Sequence, residues 1–240
     1  MSGKSKLTPD TLCTPRLPVP EQYAAEAQAL GLNVTPAAVK AAFKPDEHQV
    51  PSVWQAQRPA AISRELVGGD HYAVYATRGH LKEKGGQLIP NLLERFESEK
   101  GYRLFPDTLD TLNGLRDLDI KITCVSNSDP RILRTLSALH ILPLLTCPPV
   151  LSWDIEAAKP DRRIYEAACK IAGEEMGDGV IMVGDELEAG AIDAGLEARL
   201  LRRDGEYSDG AIRHDGEDLK GVHTVKSLTE VLEEARRRNA

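Results

Sequence analysis

Val180-Ile181-Met182-Val183-Gly184-Asp185-Glu186 is an unbroken apolar run that stops on a glycine and two carboxylates. Consecutive large apolar residues suit a strand buried on both faces, as in a parallel sheet, better than a half-solvated antiparallel one. A second, mostly apolar strand, Ile120 to Val125, stops at Ser126-Asn127. Between the two, Lys159-Pro160-Asp161 precedes a helical pattern reaching about Ala172, with Asp161 as its cap. Each polar cluster stands at the carboxyl end of a strand or in a loop beside one. Ligands of open α/β sheets bind at that edge.

The pattern extends in both directions. A helix around Thr108–Leu118 feeds the Ile120 strand, and another from Pro130 to about His140 leads to a short strand at Val150-Leu151. After Asp185 come one more helix, strands at Ala198–Leu201 and Val222–Val225, and an amphipathic helix from Leu228. Strands alternating with helical crossovers predict an α/β fold with a Rossmann-like parallel sheet, Ile120–Val125 and Val180–Val183 lying in one sheet. The first hundred residues read differently. Helical patterns run from Glu21 to Leu30, from Pro36 (capped by Thr35) to Phe43, and from Leu88 to about Glu99. Residues 44–85 are mixed, broken at Gly68-Gly69 and Gly85-Gly86, with a short alternating piece at Tyr72–Tyr75.

Composition narrows the function. The 240 residues are 41% hydrophobic and 28% charged, enough for one large domain or a core with an insert. A net charge of −7 argues against nucleic-acid binding. The basic run Arg236-Arg237-Arg238 reads as the solvated end of a helix whose dipole it suits. Four scattered cysteines without a CxxC pair point to reduced thiols, and the six dispersed histidines lack metal-ligand spacing. No apolar stretch approaches the roughly 18–20 residues that span a bilayer. Met1 to Asp10 is polar and lacks a signal-peptide core. The expectation is a protein of the cytoplasm or nucleus with neither membrane nor nucleic-acid partners.

The clusters themselves suit phosphate chemistry. The Ser126 hydroxyl and nearby main-chain N–H groups can hold a phosphoryl oxygen, although a serine ending a strand is often only a turn residue. Lys159, held extended by the following proline, can neutralise developing negative charge. Asp185, Glu186 and Glu188 offer oxygen ligands to Mg²⁺, which takes few protein ligands and keeps several waters.

In order and spacing, these residues resemble the second, third and fourth motifs of the haloacid dehalogenase superfamily, closest to its domain-containing-protein-3 group. The resemblance extends over about Gly101–Arg203, with a weaker echo in Asp10–Gly31. It implies a Rossmann-like core with an inserted helical cap: residues 1–17 a degenerate N-terminal part of the core, 18–103 the cap, 104–240 the core. It also implies Mg²⁺-dependent hydrolysis of a small phosphorylated molecule through an aspartyl-phosphate. Ser126, Asn127 and Lys159 would bind phosphate, Lys159 would serve catalysis, and Asp185, Glu186 and Glu188 would hold the metal.

The chain also departs from that pattern. The family's first motif, Asp-x-Asp-Gly-Thr, would fall on Leu7–Thr11, with Leu7 and Pro9 where the two carboxylates belong. Leucine cannot replace a carboxylate nucleophile, because the covalent intermediate requires a reactive oxygen. Asp117-Leu118-Asp119 precedes a strand instead of following one. In the fourth motif, Ala189 and Gly190 occupy the positions of a second aspartate. The polar Ser2–Lys6 cannot form the buried central strand, so the sheet is expected to lack it. The reading is thus of a weak or inactive family member, a shortened translation of an ordinary one. The alternative is a non-catalytic remnant that binds a phosphorylated ligand or a protein. A nucleotide-binding domain of another kind is disfavoured by the lack of a GxGxxG or P-loop.

Overall fold

A computed structural model of the chain describes residues 11–42, 81–185, 189–204 and 219–240. The chain forms two compact units: Pro15–Gly101, and the flanking residues up to Thr14 and from Tyr102 onward. Strands β1 (Cys13–Pro15) and β2 (Tyr102–Leu104) pair where the chain leaves and rejoins the second unit.

The Pro15–Gly101 unit contains α1 (Val19–Ala29), α2 (Pro36–Ala42) and α3 (Leu81–Phe96). Helix α1 buries Tyr23, Ala24 and Ala27 against Val39 of α2 and Leu88 and Leu92 of α3. The spacing of those three α1 residues puts them on one face. The Tyr23 and Phe96 rings pack with centroids 5.1 Å apart. Thr35 caps α2, its hydroxyl accepting from the Ala38 N–H at 3.2 Å. The fully buried Gln22 amide donates to the Leu17 and Gly101 carbonyls at 2.8 and 3.0 Å, as burial of a polar group demands. Helix α3 begins at Leu81, earlier than the expected Leu88, and runs through Gly85-Gly86. Burial of Leu88 and Leu92 outweighs the low helix propensity of glycine. The alternating piece at Tyr72–Tyr75 lies outside the described residues.

The other unit alternates strand and helix. Its elements are α4 (Thr108–Asp117), β3 (Val125–Ser126), α5 (Ile132–Ala138), β4 (Val150–Leu151), α6 (Ser152–Ile155) and α7 (Arg162–Ala172). Then follow β5 (Ile181–Gly184), α8 (Ala189–Asp193), β6 (Glu197–Leu201), β7 (Thr224–Val225) and α9 (Leu228–Arg238). Among the described residues the β3–β7 pairings are parallel: β3 with β4, β5 with β6, and β6 with β7. Helix α7 begins at the expected cap, the Asp161 carboxylate accepting from the Arg163 N–H at 2.9 Å. It ends at Gly173, whose φ of 67° suits glycine.

One expectation needs correction. Among the described residues the Ile120 and Val180 runs do not share a sheet: β3 belongs to a two-stranded ladder and β5 to a three-stranded one. Both nevertheless sit on one core, since Val125 and Met182 pack on the same cluster of Ile164, Tyr165, Ala168 and Ala191. The next residue of β5, Val183, turns to the opposite face and meets Leu201, Val225, Leu228 and Val231. Residues 122–125 and 181–183 are only half-buried, although their composition suits full burial. Among the described residues no strand pairs with both β3 and β5. Strand β3 is also shorter than expected. Ile122 and Cys124 carbonyls still accept from Thr146, Cys147 and Val150 N–H groups, but Pro148 and Pro149 have none to donate.

Helix α9 closes the face opposite α7. Gly114 of α4 lies so near it that a Cβ there would stand 2.6 Å from a Leu232 methyl. Arg199 of β6, only 4% exposed, reaches Glu234 of α9 at 2.8 Å and Glu197 at 2.7 Å. Arg238 joins both carboxylates, at 2.6 and 2.7 Å. All three arginines of the terminal basic run are exposed, and Arg238 is in addition tied to Glu197 of β6.

Candidate functional site

The three polar clusters are linked through short-range contacts. The Asn127 amide donates to the Lys159 carbonyl at 3.0 Å and accepts from the Lys159 N–H at 2.6 Å. This reciprocal pair clamps the loop after β3 to the loop before α7. The Asn127 side chain is spent on that task, so a phosphate role for this residue would fall to its main chain. Pro160 in turn abuts α8, the helix that follows Asp185. A Cβ on Gly190 would lie 2.4 Å from the Pro160 Cβ and 2.6 Å from its carbonyl oxygen. The glycine in place of a second aspartate thus has a packing reason. Gly190→Ala is expected to lower stability by about 1–3 kcal/mol, read from urea unfolding, through overpacking against a rigid ring.

Ser126 ends β3, and its hydroxyl accepts from Ser128 at 2.9 Å, which leaves its own hydrogen to donate. Ser128 is itself buried, with its carbonyl accepting from the Ser152 hydroxyl and the Trp153 N–H at 3.4 Å each. Burial pushes the Cys124 thiol up to about 11, an effect the Lys159 charge partly opposes. The lysine charge is therefore felt beside the end of β3.

Asp185 follows β5 and is buried at 8% exposure. Its carboxylate accepts from the Thr11 hydroxyl at 3.0 Å, and its carbonyl accepts from the buried Arg202 guanidinium. Glu186 and Glu188 lie outside the described residues, as do Leu7 and Pro9. Asp117 and Asp119 are exposed and precede the β3 segment, as expected for residues outside the site. Among the described residues, no three His, Cys, Asp or Glu side chains are grouped to hold a metal. One strand-end carboxylate still fits Mg²⁺, which binds through one or two carboxylates and otherwise water and substrate oxygens.

Sequence reasoning missed the supports. Arg203, 7% exposed, pairs with Asp107 at 2.8 Å, stacks 4.0 Å over the Phe105 ring and donates to the Thr11 carbonyl at 3.2 Å. Asp107 also accepts from the Leu228 N–H at 2.8 Å. Nothing in Leu200-Leu201-Arg202-Arg203 distinguishes a strand with a buried basic end from one with a solvated end. Thr11 carried the better signal, as the one position in Leu7–Thr11 that keeps the side chain of the family's first motif.

A parallel α/β core with polar groups at the carboxyl ends of its strands is the frame of many α/β enzymes, and comparison with known proteins places this chain among hydrolases. The chain belongs to the haloacid dehalogenase-like hydrolase family, whose model matches residues 10–194. That match begins after Leu7 and Pro9. A zebrafish (Danio rerio) relative, haloacid dehalogenase-like hydrolase domain-containing protein 3, is 30% identical over 92% of this chain and 91% of its own. The magnesium-bound HAD-hydrolase YfnB of Bacillus subtilis superposes with a TM-score of 0.62, at 17% identity, over 95% of each chain. An HAD phosphatase from Thermococcus onnurineus gives 0.55 at 18% identity, over 90% of this chain and 86% of its own. At those identities the two structures speak for the fold. Among the described residues, no helix is long and apolar enough to cross a membrane.

Proposed function

We propose that this protein binds the phosphoryl group of a small phosphate ester with Mg²⁺, as a phosphatase-type member of its family whose hydrolysis is weak or absent. The observation that carries the reading is the linked set Asn127–Lys159 and Pro160–Gly190, which ties the Ser126 and Lys159 loops to the helix after Asp185. Ser126 donates to a phosphoryl oxygen and Lys159 offsets its charge. Asp185, with Glu186 and Glu188, would hold the cation, which when bound neutralises phosphoryl oxygens. A non-catalytic phospho-ligand or protein-binding role is the second reading, favoured by Leu7 and Pro9 in place of carboxylates.

The test is calorimetric titration with inorganic phosphate, with and without Mg²⁺. The expected result is saturable binding, weakened about tenfold or more in Lys159→Ala, since a charge-assisted bond contributes about 1.5–3 kcal/mol. Unchanged binding in both Lys159→Ala and Ser126→Ala would sink the proposed site.

A further inference from the structure

Asp185 is gripped at two points, and the Thr11 grip comes from a residue 174 positions away. We infer that Thr11 is a positioning residue that aims the Asp185 carboxylate at a divalent cation; this rests on the proposed metal role of Asp185.

Thr11 is itself firmly held. Its carbonyl accepts from Arg203 at 3.2 Å. The next carbonyl, that of Leu12, accepts from the Thr108 hydroxyl at 2.6 Å and the Phe105 N–H at 3.3 Å. The Leu12 side chain packs beside Val183 on the Leu201, Val225, Leu228 and Val231 cluster. Arg203 is anchored in its turn by Asp107 and Phe105. A β-branched side chain on so constrained a backbone has few rotamers to lose. Its hydroxyl thus reaches the Asp185 oxygen at 3.0 Å with little further ordering cost.

The second grip has a different effect. The Arg202 guanidinium takes the main-chain carbonyl of Asp185, and the residue's main-chain N–H donates to the Val225 carbonyl at 2.8 Å. The Asp185 carbonyl is thereby turned to an internal partner, while the Thr11 hydroxyl engages the side chain. A donor that orients a metal-binding carboxylate typically changes metal affinity by about ten- to a hundredfold when removed.

The experiment titrates the full chain with Mn²⁺, read by electron paramagnetic resonance, and then displaces it with Mg²⁺. Wild type is expected to bind and Asp185→Asn to lose binding. Thr11→Val, which keeps the shape and deletes the hydroxyl, should bind about ten- to a hundredfold more weakly. Thr11→Ala should behave alike, so unfolding of one variant leaves the other to decide, and Thr11→Ser should recover most of the affinity. Thermal unfolding of each variant separates affinity from fold, because a purely structural role would shift the melt without this rescue pattern. Wild-type affinity in Thr11→Val, with loss in Asp185→Asn, overturns the role of Thr11 alone. Failure of wild type to bind, or retained affinity in Asp185→Asn, overturns the metal reading and the Thr11 inference with it.

Discussion

Incubated with a generic phosphate ester and Mg²⁺, the purified protein is expected to show turnover at the background rate. A covalent route through an aspartyl-phosphate would need a carboxylate in the stretch before Thr11, where the sequence has Leu7 and Pro9. Loss of a nucleophile costs on the order of 10⁴- to 10⁶-fold in rate, whereas charge stabilisation and binding survive it. A variant carrying an apolar strand and an Asp-x-Asp before Thr11 is expected to regain activity. The same strand could pair with both β3 and β5, which no strand among the described residues joins. Robust turnover by the unmodified chain, abolished by Asp185→Ala, would overturn this account. Continued inactivity after restoration would place the defect at Ala189 and Gly190, where a second aspartate is replaced.

Replacing Arg199 is expected to produce the largest loss of stability. Arg199→Ala would strand the buried Glu234 carboxylate without its principal partner, and breaking such a pair costs about 3–5 kcal/mol. Arg199→Met combined with Glu234→Leu should cost far less, because no buried charge remains; chemical denaturation of both variants provides the comparison. The network also sets an acid limit. Arg238 and then Arg199 hold Glu197 well below its ordinary 4.5, and Arg199 foremost does the same for Glu234. Folded values below the unfolded ones mean that this stabilisation is full above about pH 4.5. It is lost as pH falls through the lowered values. Unfolding free energy should therefore drop steeply below pH 4.5 in wild type and less steeply in Arg199→Met. Equal slopes would remove Arg199 from the linkage.

The identity of most elements was legible in the chain, for local reasons. Asp161 and Ser227 accept from main-chain N–H groups two and three residues on, so the starts of α7 and α9 need no distant partner. The consecutive apolar residues of β5 announce a strand without reference to any distant partner. The expectation that Ser126, Lys159 and Asp185 converge rests on position alone, since parallel strands bring their carboxyl ends to one edge. Less legible were lengths and continuity. Pro148-Pro149 curtails β3 by withholding donors from a neighbour about 25 residues away, and α3 extends through glycines because its apolar face is buried.

By itself, then, the sequence determined the α/β alternation, the edge that carries the polar clusters, and the lack of a carboxylate at Leu7 and Pro9. These depend on periodicity, capping and residue chemistry, all of which act over a few positions. Only the tertiary structure decided that β3 and β5 lie in separate ladders on a common core. It alone decided that Asn127 spends its amide on Lys159, and that Arg199, Arg202 and Arg203 are buried. A buried arginine requires acceptors, and those of Arg199 and Arg203 include Glu234 and Asp107, 35 and 96 positions away. Thr11 is the clearest case: its hydroxyl is an ordinary turn residue's until folding sets it against Asp185.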